Sequence, residues 1–165
     1  IIDPASTFIS FGTQIGKDTV IYPFTVIERD VKIGKRCFVG PFAHLREGVG
    51  LGDGVVAGNF IEMVRSRIGS KTLIKHFSYL GDSSVGANVN IGAGTVTANF
   101  DGKNKNYTVI KDNVNIGSDT VIVAPVRIGK FAVTGAGSVV TRNIPDKAVV
   151  AGVPARILKQ GGKHG

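Results

Sequence analysis

Val26-Ile27-Glu28-Arg29-Asp30-Val31-Lys32-Ile33-Gly34-Lys35-Arg36-Cys37-Phe38-Val39-Gly40 is the stretch that decides the fold. Ile27, Ile33 and Val39 recur every six residues, and Val31 and Cys37 each follow four residues behind an aliphatic one. An α-helix has no period of six, and alternating strands would not put Gly at one fixed phase. Working outward, the beat runs back through Ile21, Ile15 and Ile9 and forward through Leu45, Leu51, Ala57 and Met63. It restarts at Ile68, Ile74 and Leu80, restarts again at Val85, Ile91 and Thr97, and resumes from Ile110 through Ile116, Ile122, Ile128, Thr134 and Val140. Small or β-branched residues such as Thr25, Ala43, Val89, Val114 and Ala132 keep the second column.

This is the hexapeptide pattern of a parallel β-helix. Three hexads make one triangular coil of about 18 residues, and coils stack at about 4.8 Å. About seven coils are expected. No coil can bury its own face, so stability is a sum over neighbouring interfaces. The chain is expected to be all-β, with the helix over residues 1–145 and a turn with a short basic tail over 146–165, since Asn143-Ile144-Pro145-Asp146 stops the repeat. Gly161 to Gly165 is expected to be disordered. Residues 98–109 are too polar for a coil face and are expected to leave the prism as a loop.

Composition agrees and narrows the function classes. With 165 residues, 42% hydrophobic content and no Trp, one β-rich domain is expected. No run of 18 apolar residues and no signal-peptide pattern occurs, so a cytoplasmic protein without membrane attachment is expected. The chain opens on Ile, as a piece of a longer protein would. Cys37 is alone and stands at a core position, which gives it a packing role. A net charge of +8 suits polyanions such as phosphorylated sugars or coenzyme A. Nucleic acid is disfavoured, because no basic run of five occurs and aromatics do not interleave with the basic residues.

Two steps of the beat, Met63 to Ile68 and Leu80 to Val85, are one residue short. An offset of seventeen then puts Asn59, His76 and Ala93 in one column, with Glu62 and Tyr79 in a second. An imidazole, a carboxylate, a phenol, the amides of Asn59 and Asn90 and the start of a loop share one neighbourhood, which makes it a site candidate.

Gly40-Pro41-Phe42-Ala43-His44-Leu45-Arg46, Gly58-Asn59-Phe60-Ile61-Glu62-Met63, His76-Phe77-Ser78-Tyr79-Leu80-Gly81-Asp82, Asn88-Val89-Asn90-Ile91-Gly92-Ala93-Gly94-Thr95, Asn99-Phe100-Asp101-Gly102-Lys103-Asn104-Lys105 and Gly117-Ser118-Asp119-Thr120 carry a resemblance. Together they resemble the acetyltransferase domain of the bifunctional glucosamine-1-phosphate N-acetyltransferase / N-acetylglucosamine-1-phosphate uridyltransferase family. The uridyltransferase domain has no counterpart in this chain. The resemblance implies a left-handed β-helix, a homotrimer with sites between subunits, and acetyl transfer from acetyl-CoA to the amine of glucosamine 1-phosphate. That product feeds UDP-N-acetylglucosamine and cell-envelope synthesis, and no metal is needed for the transfer.

The same resemblance implies the roles. His76 would be the general base, with Glu62 orienting it, and the Ala93 backbone N–H would face the thioester oxygen. Asn99 would help hold the amino sugar and the reacting groups. Arg46, Tyr79, Asn90 and Lys105 would bind the sugar phosphate; Ala93, Ser118 and Ala136 would contact acetyl-CoA. The basic residues Arg156 and Lys159 fit either its phosphates or a solvated tail. Three positions depart from the family pattern: Val64 stands where a phosphate-binding Lys is expected, with Arg65 next to it, Phe100 replaces a loop Tyr, and Gly152 falls where an Arg is expected. These leave open another amino sugar, a sugar nucleotide or a non-catalytic trimeric module. A zinc enzyme of the γ-class carbonic anhydrase type would need three converging histidines from His44, His76 and His164, whose spacing does not favour it.

Overall fold

The computed structural model describes residues 1–161 and forms a left-handed parallel β-helix. The expectations that fall on residues 162–165, including His164 as a metal ligand and the disorder of the last residues, lie outside the described residues. One short 3-10 turn at Pro4–Ser6 precedes the first coil, and short parallel strands account for the rest up to Ala151.

The inward columns are the ones the beat specifies. Ile27, Ile33, Val39, Leu45, Ile74, Leu80, Ile110, Ile116 and Ile122 are buried, as are Val31, Cys37, Ala43, Val89 and Ala132 four residues behind. Each large aliphatic chain withdrawn from water contributes about 1.5–3 kcal/mol. Stacking like on like along the axis is what makes that gain available to a chain whose single coil has no interior. Ile15 stays 39% exposed because the first coil is covered on one side only.

Three corners turn the chain, and most take a left-handed backbone. Going round, the first column of corners holds Phe24, Phe42, Phe60 and, above them, Phe77 and Gly94; the second holds Asp30, Gly48, Arg65 and Asp82; the third holds Arg36, Gly54, Lys71 and Asn88. Among these φ is positive at all but Phe77. Between corners the backbones of adjacent coils approach closely. A Cβ on Gly34 would sit 2.7 Å from the backbone N of Asp53, which is why Gly recurs in that phase.

Pairing fixes the offsets between coils. Val26 pairs with His44, a full three hexads further along the chain. Val56 pairs with Leu73 and Asn59 aligns with His76, an offset one residue smaller. Asn90 pairs with Asn115, a larger offset that takes in the loop. The short steps fall entirely at the second corner, and the long excursion leaves from that corner too. Parallel pairing continues past residue 145, since Val133 pairs with Val149 and Val150 is buried. The segment Arg156–Gln160, expected as a basic tail, is a strand antiparallel to Ala148–Ala151.

Candidate active site

Two nine-residue strands, Val56–Val64 and Leu73–Gly81, lie side by side and wrap around the first corner. Just before that corner, Asn59, His76, Ala93, Ser118 and Ala136 share one register position in successive coils, however much chain lies between them. At the strand spacing, His76 and Ala136 are about 14 Å apart along the axis. Five of the residues singled out in the sequence therefore form one outward line.

His76 is exposed, and its Nδ1 lies 3.1 Å from Asn59 Oδ1. With the Asn59 oxygen as acceptor, the neutral ring carries its proton on Nδ1 and leaves the Nε2 lone pair free. Asn59 is thus the side chain that meets the imidazole. Glu62, named in the sequence to orient His76, instead ion-pairs with Arg46 at 3.0 Å around the corner, beside Tyr79 with which it is in register. The signal that could have found Asn59 was already present in the seventeen-residue offset. One coil above His76, Gly92 N–H donates to Ile116 O and Gly94 N–H to Phe77 O, while among the described residues the Ala93 N–H between them meets no acceptor.

On the next face and corner the chain gathers charge. Arg65 Nε and Nη2 donate to Asp82 at 2.6 and 2.8 Å, and Asn99 Nδ2 donates to the same carboxylate at 2.6 Å. The Arg65 guanidinium first, and Asn99 with it, holds the Asp82 carboxyl below its ordinary value, and the Lys105 charge acts in the same direction. Gly81 makes room here, because a Cβ on it would lie 2.5 Å from the Tyr79 hydroxyl and 2.6 Å from Asn99 Nδ2. Arg46, Tyr79, Asn99 and Lys105 thus fall on one side of the site. Val64, at the position of the expected Lys, is buried.

The loop from Asn99 is closed on itself. Asp101 Oδ1 accepts from the Lys103 and Asn104 backbone N–H groups, and its Oδ2 from Asn106 Nδ2. With Asn104 and Asn106 as the leading causes, its carboxyl is pulled down to about 2. Lys105 bridges back to Phe100 and is exposed.

Not every expected residue joins the group. Asn90 lies before the first corner, three residues short of the column, and its Nδ2 donates to Asn115 Oδ1 at 2.9 Å. Within one chain it is thus separated from Tyr79 by that corner. Arg156 pairs opposite Ala151 at the head of the column's face, and Lys159 pairs opposite Val149. His44 contacts Glu28 at 2.9 Å, two coils below His76, and among the described residues no cluster of three or more His, Cys, Asp or Glu could hold a metal ion. Beside the column, an open groove of about 390 Å³ runs past Tyr22, Phe38, Pro41, Val56, Asn59 and Lys75. Among the described residues no helix is long and apolar enough to cross a membrane.

Comparison with known proteins fits this geometry. The family model "Bacterial transferase hexapeptide (six repeats)" matches residues 12–47 and 107–142. A bifunctional protein GlmU of Thermotoga maritima is 43% identical over 98% of the chain, in its C-terminal region. The chain is a hexapeptide-repeat domain. It spans 44% of the Thermotoga protein's length, and also 40% of the GlmU of Syntrophomonas wolfei, to which it is again 43% identical over 88% of itself. Among solved structures, a variant of perosamine N-acetyltransferase from Caulobacter crescentus, in complex with CoA and GDP-perosamine, superposes with a TM-score of 0.67. It is 27% identical, and the match covers 74% of this chain and 57% of that one.

Proposed function

We propose that this hexapeptide-repeat domain transfers an acetyl group from acetyl-CoA to the amine of an amino sugar phosphate, with glucosamine 1-phosphate as the first candidate. The observation that carries the reading is the column in which a His76 Nε2 lone pair stands one coil below an unengaged Ala93 N–H. An amine attacks a thioester only when it is unprotonated, so the base must take its proton as the new N–C bond forms. His76, held by Asn59, takes that proton. The C–S bond breaks, the thiolate leaves, and the Ala93 N–H stabilises the charge that builds on the carbonyl oxygen.

The rest of the column supports the position of the acetyl donor. Ser118, Ala136 and Arg156 continue away from His76 towards the head of the prism, a path a long, thin arm with phosphates at its far end would follow. Arg46 and Lys105 supply cations for the sugar phosphate near Tyr79. The acceptor is the half of the assignment that the residues constrain least, because buried Val64 withdraws one cation; a sugar nucleotide is the second reading, favoured by the open groove beside Asn59.

We read the working unit as a homotrimer. Phe24, Phe42 and Phe60 stack with ring centroids 4.9 and 5.1 Å apart along the first corner, yet are 56%, 46% and 58% exposed. An apolar ladder of that kind calls for a covering surface. A site shared between subunits would also bring an Asn90 from one copy to the Tyr79 side of another. The reading includes a cytoplasmic enzyme serving UDP-N-acetylglucosamine synthesis.

The test is an acceptor screen with acetyl-CoA that follows free thiol, run on glucosamine 1-phosphate, other amino sugar phosphates and amino sugar nucleotides. Thiol release that needs both substrates supports the reading. Absence of release and of acetyl-CoA binding would leave a non-catalytic module.

A further inference from the structure

We infer that Asp82 is a positioning residue that fixes the polarity of Asn99: the NH2 group is held against the Asp82 carboxylate, and the side-chain oxygen is turned away from it as the acceptor offered to the site. The inference deepens the proposed function and rests on it for the identity of the ligand.

Asp82 stands at the second corner, with φ at +45°, where the coil is one residue short. Its backbone N–H donates to Val64 O at 3.1 Å, and its C=O accepts from Thr108 N–H at 3.0 Å. Its side chain is 14% exposed and accepts two bonds from Arg65 and one from Asn99. One residue thus holds both ends of the loop: Asn99, where the chain leaves the prism, and Thr108, where it returns.

A carboxylate can only accept, so Asn99 must turn its nitrogen towards Asp82. The orientation follows from the partner and needs no choice between amide flips. Asn99 Oδ1 is left without a hydrogen bond among the described residues and is not sealed from solvent. Asn99 Nδ2 and the Tyr79 hydroxyl both close in on the bare Gly81. An acceptor oxygen here suits an N–H or O–H of the sugar, and the cations Arg46 and Lys105 suit its phosphate. Arg65 is engaged with Asp82 through its Nε and Nη2 edge and acts by keeping that carboxylate ionised.

The polarity can be inverted. Asn99→Asp would bring a second carboxylate against the first, and the two would have to share a proton. The groups facing the pair are Arg65, Lys105 and the Tyr79 phenol. For the acceptor that the screen selects, N99D is expected to lose at least about tenfold in kcat/KM at pH 8 and to recover relative to wild type towards pH 6. D82N, in which either amide orientation becomes possible, is expected to raise the KM for the sugar about tenfold and leave that for acetyl-CoA unchanged. In the double variant D82N/N99D the amide introduced at position 82 can donate to the carboxylate introduced at position 99. An oxygen again faces the site, so part of the loss in D82N should return. An N99D pH profile parallel to wild type, or a D82N defect shared equally by both substrates, overturns the inference. A readout independent of turnover keeps the two proposals apart. In the wild-type protein, the 15N resonance of the Asn99 side chain should move as Asp82 titrates, and it should stay fixed in D82N. If no acceptor is turned over but that resonance moves, the function fails and the polarity stands; an Asn99 amide indifferent to Asp82 overturns the polarity.

Discussion

Two corners of the same prism are made by the same repeat and are used in opposite ways. The first, at Phe42, Phe60 and Phe77, keeps its six-residue step through successive coils and carries the column Asn59, His76, Ala93, Ser118 and Ala136. At the second, the step shortens to five residues at Arg65 and at Asp82, and one coil higher it lengthens to thirteen, from Thr97 to Ile110. Regular stacking delivers groups at a fixed spacing, which is what a base below an oxygen-stabilising N–H requires. Irregular stacking delivers a clamp and a loop, which is what recognition of one acceptor requires. The two halves of the proposed site are thus held by different means, and substitutions should separate them.

The largest effect is expected at the regular corner. His76→Ala removes the proton acceptor and should lower kcat by about 10²- to 10⁴-fold, with the melting temperature within a few degrees of wild type because the side chain is exposed. Unchanged turnover would remove His76 from the mechanism. The regularity beneath it should show in stability. Ile74→Ala, at a fully buried position, should cost about 2–5 kcal/mol in denaturant unfolding, whereas Ile15→Ala, in the partly covered first coil, should cost well under half as much. Equal costs would mean that the coils do not share the interior the stacking implies.

A smaller change is expected from Asn59→Ala. It leaves His76 in place and frees its ring to take the other tautomer or rotate away. The expected loss is about tenfold in kcat, with the KM for acetyl-CoA kept, a difference of about 1.4 kcal/mol in barrier. A variant as slow as His76→Ala would mean that Asn59 does more than orient.

Much of this could be read from the chain alone. The period of six picks out the inward columns, and every position on the beat from Ile21 to Val140, the small Ala57 and the polar Thr97 and Thr134 included, is one that the fold buries. The register at His76 followed from counting residues between beats. What counting did not reveal was where the missing residues were removed: they came out of the second corner, so their consequence is the Arg65 and Asp82 clamp, while the first corner would have stacked in any case. Hydrogen-bond partners are also invisible to a periodicity. Glu62 falls three positions past Asn59 in the coil below His76, but it sits round the corner from the imidazole and pairs with Arg46, while Asn59 Oδ1 meets His76 Nδ1. Beyond Pro145 the strand Ala148–Ala151 still pairs in parallel with the coil below and is covered by the antiparallel strand Arg156–Gln160, a pairing no hexad pattern encodes.

The smallest expected effect sharpens the irregular side of the comparison. Asp101 ties the loop together through two backbone N–H groups and one side-chain amide, and its carboxyl is pulled down to about 2. A carboxyl whose pKa is lower in the folded form stabilises that form above its ordinary value of about 4, and the contribution is lost as pH falls towards the lowered value. Between about pH 4 and 2, then, amide exchange at Lys103 and Asn104 should quicken relative to the intrinsic rate in the wild type, while the amides of Ile74 and Leu80 hold. Asp101→Asn has no charge to lose, so its exchange should start faster at neutral pH and show no added step in acid. Because Asp101 is exposed, the change should be confined to the loop and leave global stability within error. A step that reached Ile74 would mean that the loop and the stacked coils unfold as one unit, and the division between the two corners would not hold.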